Sequence, residues 1–391
     1  MLKFKSSWRM AIPVILGHLL ISIQVFSQEF YYPQAGEEWK VLAPDKFGIN
    51  EEELEQVIGF AEANEYSGAR DLRIAILKAF AHEPYHEIAG PTKQRSGPAG
   101  MIIMNGYKIA EWGDLKRIDM TFSVTKSYLS TVAGLAVDQG LITDVQDQVV
   151  NYVWDDTFEG VHNKNITWDH LLNQSSDWSG SLFGMYDWTD RPPQEGGIDE
   201  WRSRELKEPG TYFKYNDVRV NVLSYSLLQV WRKPLPKVLK DKVMDPIGAS
   251  TTWRWYGYEN SWVNVDGIKV QSVSGGGHSG GGIFINTEDH ARFGLLFLSK
   301  GNWNGKQLIS EQWIEDVQVP SNANESYGYM WWLNRGNRRW EGVSEKVYYA
   351  AGFGGNYIII DQEHSMVIVT RWLEPSKIGE FVKKVMDAIP D

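Results

Sequence analysis

Residues 121–127 read Thr121-Phe122-Ser123-Val124-Thr125-Lys126-Ser127, and the fold and chemistry of the chain are both read from them. Beyond them Leu129, Val132, Ala133 and Ala136 recur at helical spacing, and Gly140 stops the pattern, which predicts a helix over Ser123–Gln139. Ser123 and Lys126 then share one helix face, with the amine beside the hydroxyl. A desolvated lysine gives up its proton readily and can serve as the base that activates a serine nucleophile. At a helix start, the free N–H of Ser123 and the helix dipole also face any oxyanion formed there. Ser-x-x-Lys is a short pattern, but it occurs once in this chain, where strand-like sequence gives way to helix.

Working outward, Met101–Met104 and Tyr107–Trp112 flank Asn105-Gly106, a strong hairpin signal because both turn residues accept φ > 0. Residues 51–64 predict a helix with Leu54, Val57, Ile58 and Ala61 on one face, whereas the segment from Arg70 to Gly97 shows no assignable pattern. Further helices are predicted over Thr167–Gln174 and Val218–Trp231. Gly282–Asn286 reads as a strand, with Thr287 capping a helix through Leu298. Tyr327–Leu333, Val347–Ala351, Asn356–Asp361 and Met366–Trp372 read as strands, and Lys377–Ile389 as a closing amphipathic helix. Strands near both ends with helices between them predict an α+β fold. Its antiparallel sheet would be built from residues 28–120 and 282–391, and residues 121–281 would form a helical insertion that begins with the nucleophile. A cleft at their junction is the expected site.

Lys3, Lys5 and Arg9 precede an apolar run from Met10 to Phe26, with Val25 and Ser27 at −3 and −1 of a cut before Gln28. This order predicts a cleaved secretory signal over residues 1–27 and a periplasmic or secreted product with no stable membrane insertion. The run is broken by Pro13, Gly17, His18 and Gln24, and is shorter than the ~20 residues a membrane span requires. The chain of 391 residues has no Cys, so its core must hold without disulfides. Its net charge of −11 becomes about −14 once Lys3, Lys5 and Arg9 are removed, which argues against nucleic acid as a partner. Its 18 Trp could, where exposed, form a stacking platform for sugar rings or apolar acyl groups.

Three further segments bear on the site. Tyr215-Asn216-Asp217 stands just before a predicted helix, where a phenol beside a cation can shuttle a proton. Ala350-Ala351-Gly352-Phe353-Gly354-Gly355 lies on a late strand, where glycine lets an edge backbone approach a ligand and offer an N–H. Gly277-His278-Ser279-Gly280-Gly281 fits Gly-x-Ser-x-Gly, the elbow of α/β-hydrolases, but strand-like residues follow it where a helix is required.

Taken together, these residues resemble the serine β-lactamase and penicillin-binding superfamily, in its class C-like branch of esterases, D-amino-acid peptidases and 6-aminohexanoate oligomer hydrolases. Phe122–Ser127, Ala136–Ile142, His170–Ser176 and Gly280–Phe284 with Thr287 and Asp289 carry the resemblance, which covers about residues 45–375. It implies a β-lactamase/transpeptidase-like fold and hydrolysis of an ester or amide through an acyl-serine, with no metal or organic cofactor. By position, Ser123 would attack, Lys126 would help deprotonate it, and Tyr215 would act as base and then acid. The backbone amides of Ser123 and Phe353 would form the oxyanion hole. Asp217, His278, Ala351 and Gly352 would face the substrate, which would be a small molecule, a peptide or an acylated sugar.

Two departures shape the expected specificity. Ala350 stands where the family usually places Lys or His, and Asp217 stands where it places Asn. Both would disfavour carboxylate-bearing substrates, so a role other than that of a β-lactamase is expected, with His278 as a candidate replacement cation. The alternative reading is a carbohydrate-active enzyme, or a glycan- or peptide-binding protein, that uses the Trp residues and acidic groups of the same fold.

Overall fold

The computed structural model describes Met1 and residues 30–335 and 339–389, so the predicted leader lies, apart from Met1, outside the described residues. At its centre is a seven-stranded antiparallel sheet in the order 327–328, 331–333, 348–352, 356–361, 366–371, 99–104, 107–112. The two parts of the chain meet in its middle, where Ile102 lies opposite Ile368 and Ile368 opposite Ile359. The strands Ala99–Met104, Asn356–Asp361 and Met366–Arg371 are buried throughout, because both sheet faces are covered. Ile358, Ile360, Val367 and Val369 face the main core and the helix Thr287–Leu298. Ile359 and Ile368 face the helices Glu51–Ala63 and Ile378–Asp387. Each fully buried Ile or Phe contributes about 1.5–3 kcal/mol, so this two-sided packing is the main cohesion of the fold.

The Asn105-Gly106 turn forms as expected, with φ of 48° and 87°. Thr287 is the first helical residue rather than the cap; the side chain of Asn286 accepts from the amide of Asp289. The stretch Tyr327–Leu333 is two short strands, because Tyr329 and Met330 both take positive φ and break the ladder. The unassigned segment holds a helix, Leu72–Phe80, capped by Asp71 and packed on Met120, Phe122, Phe284 and Trp372.

Residues 121–281 hold two almost wholly buried helices, Thr125–Asp138 and Asp217–Trp231. They also hold a long hairpin, Arg254–Val265 with Ile268–Val273, so the segment is not purely helical. Arg254–Val265 also pairs with Gly282–Ile285, which pairs in turn with Asp119–Met120 just before Ser123. This second sheet ties the insertion to the segment that presents Ser123. Among the described residues no helix is long and apolar enough to cross a membrane.

Candidate active site

Ser123 sits in a single 3-10 turn, Phe122–Val124, that links the strand Asp119–Met120 to the helix Thr125–Asp138. Phe122 is held at φ 52°, a conformation that costs a non-glycine residue about 1–3 kcal/mol. Its ring is clamped against Phe353 at 5.0 Å and Trp372 at 6.3 Å. The backbone just before it is fixed as well: Arg371 donates to the carbonyl of Met120 at 3.2 Å, and Trp372 to Asp119 at 2.8 Å.

The predicted pairing of Ser123 and Lys126 is present, with Lys126 Nζ 2.9 Å from Ser123 Oγ. The same Nζ lies 2.6 Å from Asp217 Oδ1, and Asp217 Oδ2 accepts from Arg191 Nη1 at 2.8 Å. Asp217 opens the helix Asp217–Trp231, where the dipole favours a carboxylate, and its amide donates to Asp190. Burial alone would drive the Lys126 ammonium toward neutrality, but the charge of Asp217 outweighs it and raises the Lys126 pKa above its ordinary value. Burial would likewise favour the neutral acid at Asp217, yet Lys126, Arg191 and His278 together hold that carboxyl well below the usual range.

Two expectations are corrected by this geometry. Lys126 is an ammonium at rest, not a lysine made basic by desolvation. Asp217 does line the cavity, but not as a free anion, because it is buried and shared between two cations. Lys126 and Arg191 offset its charge, and with its pKa lowered it does not stand ready as a glycosidase acid.

Tyr215 lines the cavity and packs at 22° on Trp332, with ring centroids 5.9 Å apart. Lys126 Nζ lies 4.7 Å and Arg191 Cζ 5.1 Å from its ring centroid. Among the described residues its hydroxyl has no hydrogen-bond partner. On the opposite wall the strand Tyr348–Gly352 passes so close that a Cβ on Gly352 would lie 2.2 Å from the carbonyl oxygen of Thr121 and 3.3 Å from the amide of Ser123. Glycine at 352 thus brings the amides of Ser123 and Phe353 to one end of the cavity. Neither amide donates to another backbone carbonyl among the described residues. Ala351 and Gly352 line the cavity, while Ala350 is buried in the main core.

His278 reaches the cavity, but not as an unattached cation. Its Nε2 is 2.6 Å from Glu83 Oε2, its ring packs on Phe80 at 3.8 Å, and its Nδ1 stands 3.6 Å from Asp217 Oδ2. Ser279 beside it is buried, and its carbonyl accepts from the amides of Ala89 and Gly90. Strand Gly282–Ile285 follows, so the α/β-hydrolase elbow is absent at this position. Glu83, Asp190 and His278 each bring a ligand atom within 4.8 Å of the others. Glu83 Oε2 is engaged with His278 and Asp190 with Arg191 and the Asp217 amide, which makes this an ion-pair cluster, while Glu83 Oε1 and His278 Nδ1 are buried without a hydrogen-bond partner among the described residues.

The cavity holds about 640 Å³. Tyr66, Phe80, Tyr215, Trp332, Tyr349 and Tyr357 give it an aromatic lining, and Arg191, Asn324, Ser326 and Arg339 are polar members that lie outside every motif. Sequence reasoning missed Glu83, Asp190 and Arg191. No spacing marks them, since each enters from a loop and is recognised by its partner alone.

The comparisons agree with this geometry. The family described as Beta-lactamase matches residues 120–372. An uncharacterized protein of Alkalihalophilus pseudofirmus is 23% identical over 321 residues, covering 70% of this chain and 83% of its own. A Bacillus anthracis protein provisionally named a 6-aminohexanoate-dimer hydrolase superposes with a TM-score of 0.56 at 15% identity, over 90% of this chain and 87% of that one. A family VIII carboxylesterase superposes with a TM-score of 0.54 at 16% identity, over 80% and 96% of the two chains. With Ser123, Lys126 and the Gly352 strand brought together inside the matched region, the chain belongs to the β-lactamase family of serine hydrolases.

Proposed function

We propose that the protein is an exported hydrolase that cleaves an ester or a small amide through an acyl-enzyme on Ser123. The observation that carries this reading is the 2.9 Å contact between Ser123 Oγ and Lys126 Nζ at the wall of a large aromatic cavity. Ser123 Oγ attacks the carbonyl carbon as its proton passes to the oxygen of Tyr215, and the phenolic proton of Tyr215 moves on in the same step to the leaving-group atom, so the tyrosine stays neutral. The Lys126 ammonium, 2.9 Å from Ser123 Oγ, stabilises the negative charge that develops on that oxygen as its proton leaves. The amides of Ser123 and Phe353 receive the oxyanion. Collapse of the tetrahedral intermediate breaks the bond to the leaving group, which departs with the proton relayed through Tyr215. A water then attacks the acyl-serine, and Ser123 regains its proton.

The aromatic lining favours an apolar or aryl acyl group. Asp217 is offset by its partners and Ala350 lies in the core, while Arg191 and Arg339 line the cavity, so the lining does not by itself disfavour a carboxylate-bearing substrate. The leader read in residues 1–27 supports a periplasmic or secreted location, which N-terminal sequencing of the protein recovered outside the cytoplasm would test. The chemistry is tested by incubation with a fluorophosphonate followed by peptide mapping. A label on Ser123, lost in Ser123→Ala, is expected. No label, or a label on Ser279, would overturn the assignment.

A further inference from the structure

Behind the wall formed by Arg191 and Tyr215 lies a second cavity of about 320 Å³ that the proposed chemistry does not use. Trp188, Trp201 and Tyr212 stand on its walls; Trp188 stacks with Tyr186 at 5.5 Å on one face, and among the described residues no ring stacks on Trp201 or Tyr212. Asp177, Asp187, Asp190 and Glu205 contribute negative charge to its lining. Arg204, Lys207, Lys214 and Arg219 match them in number. The floor is rigid: Arg219 Nη2 lies 2.7 Å from Asp177 and 3.0 Å from Asp187, and Arg204 bridges the same two carboxylates. Arg219 is buried, yet its Nη1 has no hydrogen-bond partner among the described residues. A buried donor without a partner is costly, and a ligand oxygen accepting from it would recover that cost.

A charge-balanced lining gives no advantage to a strongly charged ligand, and a purely apolar ligand would leave the polar floor unsatisfied. Aromatic faces above a dense set of donors and acceptors suit a ring with apolar C–H faces and a rim of hydroxyls. We propose that this cavity is a binding subsite for a neutral saccharide. Its wall is shared with the catalytic cavity: Pro192, Pro193 and Lys214 line the second cavity, while their neighbours Arg191 and Tyr215 line the first. Lys214 Nζ donates to the carbonyl of Arg191, which ties the two segments of that wall together. A saccharide in the subsite would therefore bear directly on the residues that face Ser123.

The test is calorimetric titration of the full chain with cellotriose, maltotriose and chitotriose, in wild type, Trp188→Ala and Tyr212→Ala. At least one trisaccharide is expected to bind wild type saturably. Loss of an aromatic face should weaken that binding about ten-fold in one or both variants. Tyr212 is exposed, so its variant keeps the test valid if Trp188→Ala proves poorly folded. No binding of any of the three up to about 10 mM would overturn the proposal, as would binding undiminished in both variants. Fluorophosphonate labelling of Ser123 in the same samples reports separately on the hydrolase reading.

Discussion

Asp217 Oδ1 stands 2.6 Å from Lys126 Nζ, and the two are buried together beside Ser123. The pair, rather than desolvation of the lysine, sets the charge at the site. The Lys126 pKa is raised on folding, so its stabilisation is complete below the ordinary lysine range and is lost as pH climbs through the higher folded value. The Asp217 pKa is lowered, so its stabilisation is complete above the ordinary carboxylate range and is lost as pH falls through the lower folded value. Between these limits the pair is intact.

Asp217→Asn tests that relationship. The amide keeps an oxygen acceptor for Lys126 but removes the charge that outweighs its burial, so the Lys126 pKa should fall. If the ammonium is the working form, the alkaline limb of kcat/KM against pH moves to lower pH in the variant. An unmoved limb would show that Lys126 does not set it.

Lys126→Ala and Tyr215→Phe should each lower kcat about 10²-fold or more, the usual scale for lost general acid–base help. Because the two side chains serve one proton path, the double variant should lose far less than the product of the single losses. Steady-state kinetics on a p-nitrophenyl ester decides the point, and fully additive losses would separate their roles.

Gly352→Ala should damage the oxyanion end of the site. The new methyl would meet the carbonyl oxygen of Thr121 at 2.2 Å, and this neighbour is backbone, which cannot swing away. A drop of about 10²-fold in kcat is expected, the scale of one displaced oxyanion donor. Near-normal turnover would mean that strand 348–352 has room to shift without losing the amide of Phe353.

Glu83→Ala should leave the buried Nε2 of His278 without its partner at a cost of about 1–3 kcal/mol. Urea denaturation measures it. A change within about 0.5 kcal/mol, the range of ordinary surface substitutions, would show that the pair contributes little to stability.

What was readable in the sequence follows from the range of each interaction. The Asn105-Gly106 hairpin and the Ser123–Lys126 face are local, and both have the predicted form. The hairpin around Asp266-Gly267 carried an equally local signal, since both residues take positive φ. So did the helix Leu72–Phe80, with Asp71 as its cap and Leu72, Ala75 and Ile76 as its buried face. These two signals were present and unused. Arg191 and Glu83 differ in kind. Their partners Asp217 and His278 lie 26 and 195 positions away, and no short-range pattern announces an ion pair that is closed by the tertiary fold.

The order of these parts along the chain has a consequence for biogenesis. During synthesis Ser123 and Lys126 are present together long before Asp217, and the strand carrying Gly352 comes last of all. The segment leading into Ser123 takes its fixed shape from Arg371 and Trp372, near the C-terminus. A nascent or truncated chain thus carries the reactive serine without the carboxylate that sets its neighbour's charge or the backbone that receives its oxyanion. The sheet delays matters further, because Ala99–Met104 is completed on one side by Met366–Arg371, a pairing across most of the polypeptide. Such a hydrolase is inert until nearly its whole length is available to fold, so its activity is timed by the completion of its own chain.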